Sequence, residues 1–164
     1  MSSTSSSPAA EPETIAIACD HAGYDLKQEV IKLLQDLKVR VLDLGCASAS
    51  ESVHYPIYGK KVVDEVLSRP HCRGILICGT GLGMSIVANR FRGIRAALCY
   101  DLQCAAMSRR HNDANLLVLG GRTMDPQLAA EIVRVWLSTP FDGGRHQERL
   151  ELLEGLAEPT GTTR

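Results

Sequence analysis

From residue 14 onward, short apolar runs alternate with amphipathic stretches, with little interruption. TIAIAC (14–19) reads as a strand. It is followed by YDLKQEVIKLLQDL (24–37), where Leu26, Val30, Leu33, Leu34 and Leu37 keep the spacing of one helix face. VRVLDLG (39–45) predicts a second strand and YGKKVVDEVLS (58–68) a second helix. RGILIC (73–78) is apolar nearly throughout, as suits a strand covered by helices on both faces. MSIVANRF (84–91) predicts a helix, IRAALC (94–99) a strand, LQCAAMSRRH (102–111) a helix and NLLVLGG (115–121) a fifth strand. PQLAAEIVRVWLS (126–138), with Asp125 as a cap and Pro126 in the first turn, and HQERLELLEGL (146–156) close the chain as helices.

Strict strand–helix alternation implies a parallel sheet with right-handed crossovers, and hence one three-layer α/β/α Rossmann-like domain. No internal repeat is visible. The longest interruption, 46–57, follows a strand and so belongs to the carboxyl edge of the sheet, where open α/β folds bind ligands.

Composition narrows the function classes. A chain of 164 residues supports one domain, expected over 14–156. Residues 1–13, rich in Ser, Pro, Ala and Glu, read as a disordered tail and not a signal peptide, and 157–164 as a second tail. A net charge of −1 supplies no basic field, so neither nucleic acid nor an anionic membrane is an expected partner, and no apolar run has the length of a membrane span. The six cysteines include no C-x-x-C pair, and several lie in apolar strands. Reduced thiols in a cytoplasmic protein are expected, with no zinc or thioredoxin-like motif.

Candidate chemistry sits at two strand ends. The first strand delivers Asp20-His21; the third delivers Cys78, then Gly79-Thr80-Gly81-Leu82-Gly83. The glycine loop lacks the third glycine of a dinucleotide fingerprint, since Met84 follows Gly83, and lacks the lysine of a P-loop. Three alternating glycines exceed what a tight turn needs. A helix opening at Gly83 favours an anion or oxyanion at its N–H groups. For Cys78 two readings stand, a buried core thiol like Cys19 and Cys99, or a base that Thr80 orients by a hydrogen bond. Asp20 is placed to cap the helix that follows. His111-Asn112-Asp113 falls in a helix-to-strand connection, on the opposite edge from Cys78, so His111 is either a surface residue or serves a neighbouring subunit. Arg145 and Arg149 share one face at the start of a helix, where cations oppose the helix dipole by ~0.3–1 kcal/mol each. A bound phosphate resolves that conflict better than Glu148 and Glu151 do.

Six segments, IAIACDHAGYDLK, HYPIYG, GILICGTGLGMSIVANR, GIRAAL, SRRHNDAN and GGRHQERL, together resemble the type B ribose-5-phosphate isomerase family, which includes isomerases of allose and galactose 6-phosphates. The resemblance covers about 14–156. It implies a five-stranded parallel sheet in the order 2-1-3-5-4. It also implies interconversion of D-ribose 5-phosphate and D-ribulose 5-phosphate through a cis-enediolate, in the non-oxidative pentose phosphate pathway, without metal or cofactor. Cys78 is the implied base, helped by Thr80, because the glutamate that serves one subgroup aligns with Met84. Backbone N–H groups of the 79–84 loop (Gly79, Gly81, Gly83, Met84) hold the enediolate oxygen, Asp20 shuttles a proton between O1 and O2, and His111 opens the furanose ring beside Asn112. His21, Arg122, Arg145 and Arg149 bind phosphate, and Tyr55 lines the sugar pocket. His54 stands where the family commonly carries Asp. A homodimer with sites shared between subunits is implied, with pairing into tetramers left open. The alternatives are an isomerase of a six-carbon aldose 6-phosphate and a non-catalytic phosphosugar-binding subunit.

Overall fold

The computed structural model of the protein describes residues 13–156; the expected tails, apart from Glu13, lie outside the described residues. Five strands run β1 Thr14–Cys19, β2 Arg40–Asp43, β3 Cys72–Cys78, β4 Ala96–Leu98 and β5 Leu116–Gly120. The helices are α1 Tyr24–Asp36, α2 Tyr55–Ser68, α3 Leu82–Ala88, α4 Leu102–Arg110, α5 Pro126–Ser138 and α6 Arg145–Gly155, with a short 3₁₀ turn at His21–Gly23. All strand pairings are parallel and the order is β2-β1-β3-β5-β4, as the resemblance implied.

Alternation along the strands builds two cores, because successive side chains point to opposite faces. Ile15, Ile17, Ile75, Ile77, Leu117 and Leu119 face α1, α4 and α5, with Trp136 fully buried among them. Ala16, Ala18, Leu76, Cys78, Leu116 and Val118 face α2 and α3. Burying each large aliphatic side chain contributes ~1.5–3 kcal/mol, so the three central strands carry most of the core. No residue of α6 belongs to either core. That helix is tied down by Leu150, by Arg95–Glu154 at 3.5 Å and by an aromatic contact described below.

Among the boundaries that differ from the sequence expectation, two bear on the site. Helix α2 starts at Tyr55, three residues before the expected 58, because Pro56 fits a first turn whose N–H groups need no intrahelical partner. Helix α3 starts at Leu82 and not Gly83, since Gly81 takes the left-handed cap at φ +83° that only glycine adopts readily. A Cβ there would also lie 2.5 Å from Leu98 Cδ1.

Candidate active site

The carboxyl ends of β1, β3 and β5 come together as the alternation predicts. The Asp20 N–H donates to the Ile77 carbonyl (3.2 Å), Gly121 N–H to the Cys78 carbonyl (2.8 Å) and Arg122 N–H to the Gly79 carbonyl (2.9 Å). Asp20, His21, Cys78, Gly79 and Arg122 therefore share one edge. Asp20 is 7% exposed and Cys78 5%. The Asp20 carboxylate accepts from the Ala22 and Gly23 N–H groups at 3.0 and 3.1 Å, so it is the expected cap, here of the 3₁₀ turn. The Arg122 guanidinium lies beside Gly79: a Cβ on that glycine would be 3.9 Å from Nη1.

The 46–54 segment closes one side of this edge. His21 Nδ1 accepts from the Val53 N–H at 3.2 Å, which leaves Nε2 to carry the proton of the neutral ring. Tyr55, at the start of α2, lays its ring against Gly83, where a Cβ would come within 2.7 Å of it. Beneath, Lys27 is 1% exposed and donates to Asp43 (2.7 Å) and to the Cys46 carbonyl (2.8 Å), pinning the start of the segment. This lysine escaped the sequence reading, although the 27, 30, 34 spacing places it on the buried face of α1.

One expectation about the glycine loop needs correction. The Thr80 hydroxyl accepts from the Leu82 N–H at 3.3 Å, and among the described residues no hydrogen bond joins it to Cys78. Thr80 shapes the loop instead of holding the thiol. The Met84 side chain is fully buried in the core, packed towards Gly59 of α2, so only its backbone N–H faces the loop. Gly81 offers α3 no side-chain cap, and the first-turn N–H groups of Gly83 and Met84 are left for a ligand or water.

His111 and Asn112 do not join this cluster. Helix α4 runs back across the sheet, and His111 is its C-cap, close to the amino end of β5. With Gly74 opposite Leu116 and Cys78 opposite Gly120, the two edges are separated by about four strand steps, ~13 Å. Around His111 a second cluster forms. Its ring stacks on His146, centroids 4.1 Å apart and planes 11° from parallel. Asp142 pairs with Arg110 at 3.1 Å. Arg145 and Arg149 stand exposed on the first turns of α6, with no ion pair to either among the described residues. Glu151 accepts from Gln147 (3.1 Å) and, among the described residues, forms no ion pair with either arginine.

Chain spacing alone indicates no set of metal ligands, yet folding brings donor atoms of His111, Asp142 and His146 within 4.8 Å of one another. Parallel stacked rings point their lone pairs side by side, whereas a zinc ion needs them converging at ~2.0–2.1 Å. The Arg110 partner and the flanking arginines make the cluster cationic, so it suits an anion better. Asp142 and His146 were not anticipated; the 146, 150 spacing, which puts His146 with Leu150 on the inner face of α6, was the available signal. Burial first, then His111 and the Arg145 and Arg149 guanidiniums, push the His146 imidazole below its ordinary pKa, while Asp142 acts in the opposite sense. Burial pushes the Cys19 and Cys99 thiols up to about 12, in keeping with core roles. Among the described residues no helix is long and apolar enough to cross a membrane.

Comparison with known proteins identifies the family. The family model for ribose/galactose isomerase matches residues 15–153. Ribose-5-phosphate isomerase B of Escherichia coli is 44% identical over 144 residues, covering 88% of this chain and 96% of that protein. The Listeria innocua ribose-5-P isomerase B is 43% identical, covering 87% and 95%. Among solved structures, a ribose 5-phosphate isomerase from Thermotoga maritima superposes with a TM-score of 0.84 at 53% identity, covering 87% of this chain and 98% of that one. Ribose-5-phosphate isomerase B from Clostridium thermocellum gives 0.84 at 48%, covering 87% and 96%. The chain belongs to the ribose/galactose isomerase family.

Proposed function

We propose that this protein interconverts D-ribose 5-phosphate and D-ribulose 5-phosphate in a homodimer whose two sites each draw on both subunits. The observation that carries the reading is the division of the chemistry. A thiol and a carboxyl end adjacent strands on one edge, and an imidazole with unpaired arginines waits on the other. A twofold partner supplies to each edge what its own chain places on the other. Exposed Leu82, Ile86, Tyr100 and Leu102 near the first cluster, with Leu152 on α6 and Leu156 just past its end, are the apolar surface such pairing would cover.

The steps balance without a redox partner. His111 takes the proton of the anomeric hydroxyl and returns one to ring oxygen O4 as the C1–O4 bond breaks, giving the open aldehyde. Cys78 Sγ removes the C2 proton; the electron pair forms the C1–C2 double bond and charge moves to O1. The N–H groups at the start of α3 stabilise that oxygen, and donors of this kind are worth ~3 kcal/mol each. Asp20 carries the proton from O2 to O1, and Cys78 delivers its proton to C1. The phosphate is held by His21 and Arg122 from one side and Arg145 and Arg149 from the other.

Sugar length sets this reading apart from the same chemistry on a six-carbon 6-phosphate. Assaying ribose 5-phosphate against allose and galactose 6-phosphates decides it. Higher kcat/KM on either hexose phosphate overturns the pentose assignment, and no turnover of any would leave a binding subunit.

A further inference from the structure

His111 sits at the C-cap of α4 and His146 in the first turn of α6, and among the described residues no hydrogen bond reaches either ring. An imidazole without a partner turns freely between rotamers and ring flips. What limits His111 is the ring lying parallel to it at 4.1 Å. That plate is itself fixed. His146 is only 7% exposed, on the side of α6 that also carries buried Leu150. The strap leading to it is tied to the turn that bears His111. The Asp142 N–H donates to the Arg110 carbonyl at 3.0 Å, and Arg110 Nε donates to the Asp142 carboxylate at 3.1 Å. Gly143 and Gly144 then turn the chain into α6 at φ +66° and +56°, conformations that favour glycine.

We propose that His146 is a positioning residue, whose ring sets the plane of His111 so that one His111 nitrogen faces the anomeric hydroxyl and the ring oxygen of the closed sugar. The inference rests on the reading of His111 as the ring-opening group. Burial, His111, Arg145 and Arg149 lower the His146 pKa, which favours the neutral ring and a role as a stacking surface. An aromatic ring of similar size should therefore replace it, and a methyl group should not.

The test uses the full chain with His146→Ala, His146→Phe and His111→Asn, each checked for assembly by sedimentation. His146→Ala should lower turnover of cyclic ribose 5-phosphate about tenfold through misplacement of His111. Solvent exchange at C1 of ribulose 5-phosphate, an open-chain sugar that needs no ring opening, should stay near the unsubstituted rate. His146→Phe should restore most of the cyclic turnover. In NMR spectra the His111 ring-proton shift should move in the Ala variant and be kept in the Phe variant. If His146→Ala leaves cyclic turnover intact while His111→Asn abolishes it, positioning falls alone. If His111→Asn is also harmless, the reading of His111 falls with it. Equal loss of exchange and cyclic turnover, or a matching rise in KM for both sugars, would overturn positioning and make His146 a structural or phosphate-binding residue.

Discussion

The backbone N–H of Asp20 donates to the carbonyl of Ile77 at 3.2 Å, one step past the Cys19–Ile77 pair that ends the β1–β3 register. That bond extends the ladder into the loops, so Asp20 and Cys78 come to stand on neighbouring strands about 4.8 Å apart in the hydrogen-bonding direction. Each then turns away into its own loop, one capped by the Asp20 carboxylate and the other by a left-handed glycine. A rigid parallel ladder thereby fixes the separation of a carboxyl and a thiol that belong to distant parts of the chain.

Cys78→Ala should still bind ribose 5-phosphate but lose solvent exchange of the C2 proton by about 10²–10⁴-fold, the range typical of removing a general base. The substitution is small and the site buried, so the fold should survive. Exchange near the normal rate would remove Cys78 from the chemistry.

Most of this edge was legible in the sequence. Short apolar runs and the strand–helix alternation placed Asp20, His21, Cys78 and the glycine loop on one side, and those signals are local. Three features were not legible. The Thr80 hydroxyl accepts from the Leu82 N–H two residues on, a local side-chain-to-backbone bond of the kind Ser and Thr make in turns. The stacking of His146 on His111 joins residues of two helices whose relation depends on the 139–144 strap. Burial of Lys27 against Asp43 and Cys46 depends on how β2 leaves the sheet. The last two are tertiary contacts: spacing along one helix marks the buried face but not the partner that meets it.

The buried thiols make stability fall at high pH. Cys19 and Cys99 ionise at about 12 in the folded protein against an ordinary 9.0. Below 9.0 both states hold the proton and nothing is lost. Above it the unfolded chain releases protons that the folded chain keeps, so stability declines as pH rises towards about 12, by at most ~1.4 kcal/mol per pH unit for each thiol. Urea midpoints at about pH 7 and 10 should show the drop, and a Cys19→Ala, Cys99→Ala double variant should flatten it. An unchanged slope in that variant would assign the effect to other groups.

His54 is the N-cap of α2 and makes no side-chain cap hydrogen bond. His54→Asp supplies an acceptor for the first-turn N–H groups and a negative charge at the helix N-terminus, and should stabilise the protein by ~0.5–1 kcal/mol. Thermal unfolding should show a rise in Tm of a few degrees. A fall would mean that His54 makes a contact, within the chain or in the proposed dimer, that Asp cannot replace.

Arg149 has no ion pair among the described residues, so its truncation leaves no buried partner charge behind. Arg149→Ala should therefore change stability little. It should raise KM for ribose 5-phosphate about tenfold or more, as loss of a charge-assisted phosphate contact does, and spare any slow reaction of free ribose. Equal losses on the two substrates would give the arginine a structural role.

The proposed shared site yields the sharpest test, because the topology separates its two residues. Cys78 ends β3 while His111 precedes β5, and parallel strands put those two positions on opposite edges of one sheet. In an isologous dimer each site would take Cys78 from one subunit and His111 from its partner. Cys78→Ala and His111→Ala homodimers should each lose turnover of cyclic ribose 5-phosphate. In a mixed dimer one site collects both lesions and the other receives neither. With random pairing, half of the dimers are mixed and about a quarter of all sites are intact. Co-refolding the two variants should thus restore cyclic turnover to about a quarter of the unsubstituted level, from parents that have almost none. The gain should follow the fraction of mixed dimers resolved by native mass spectrometry. Mixed dimers whose activity only averages that of the parents would place both residues in one chain's site, or leave His111 without a part in the reaction.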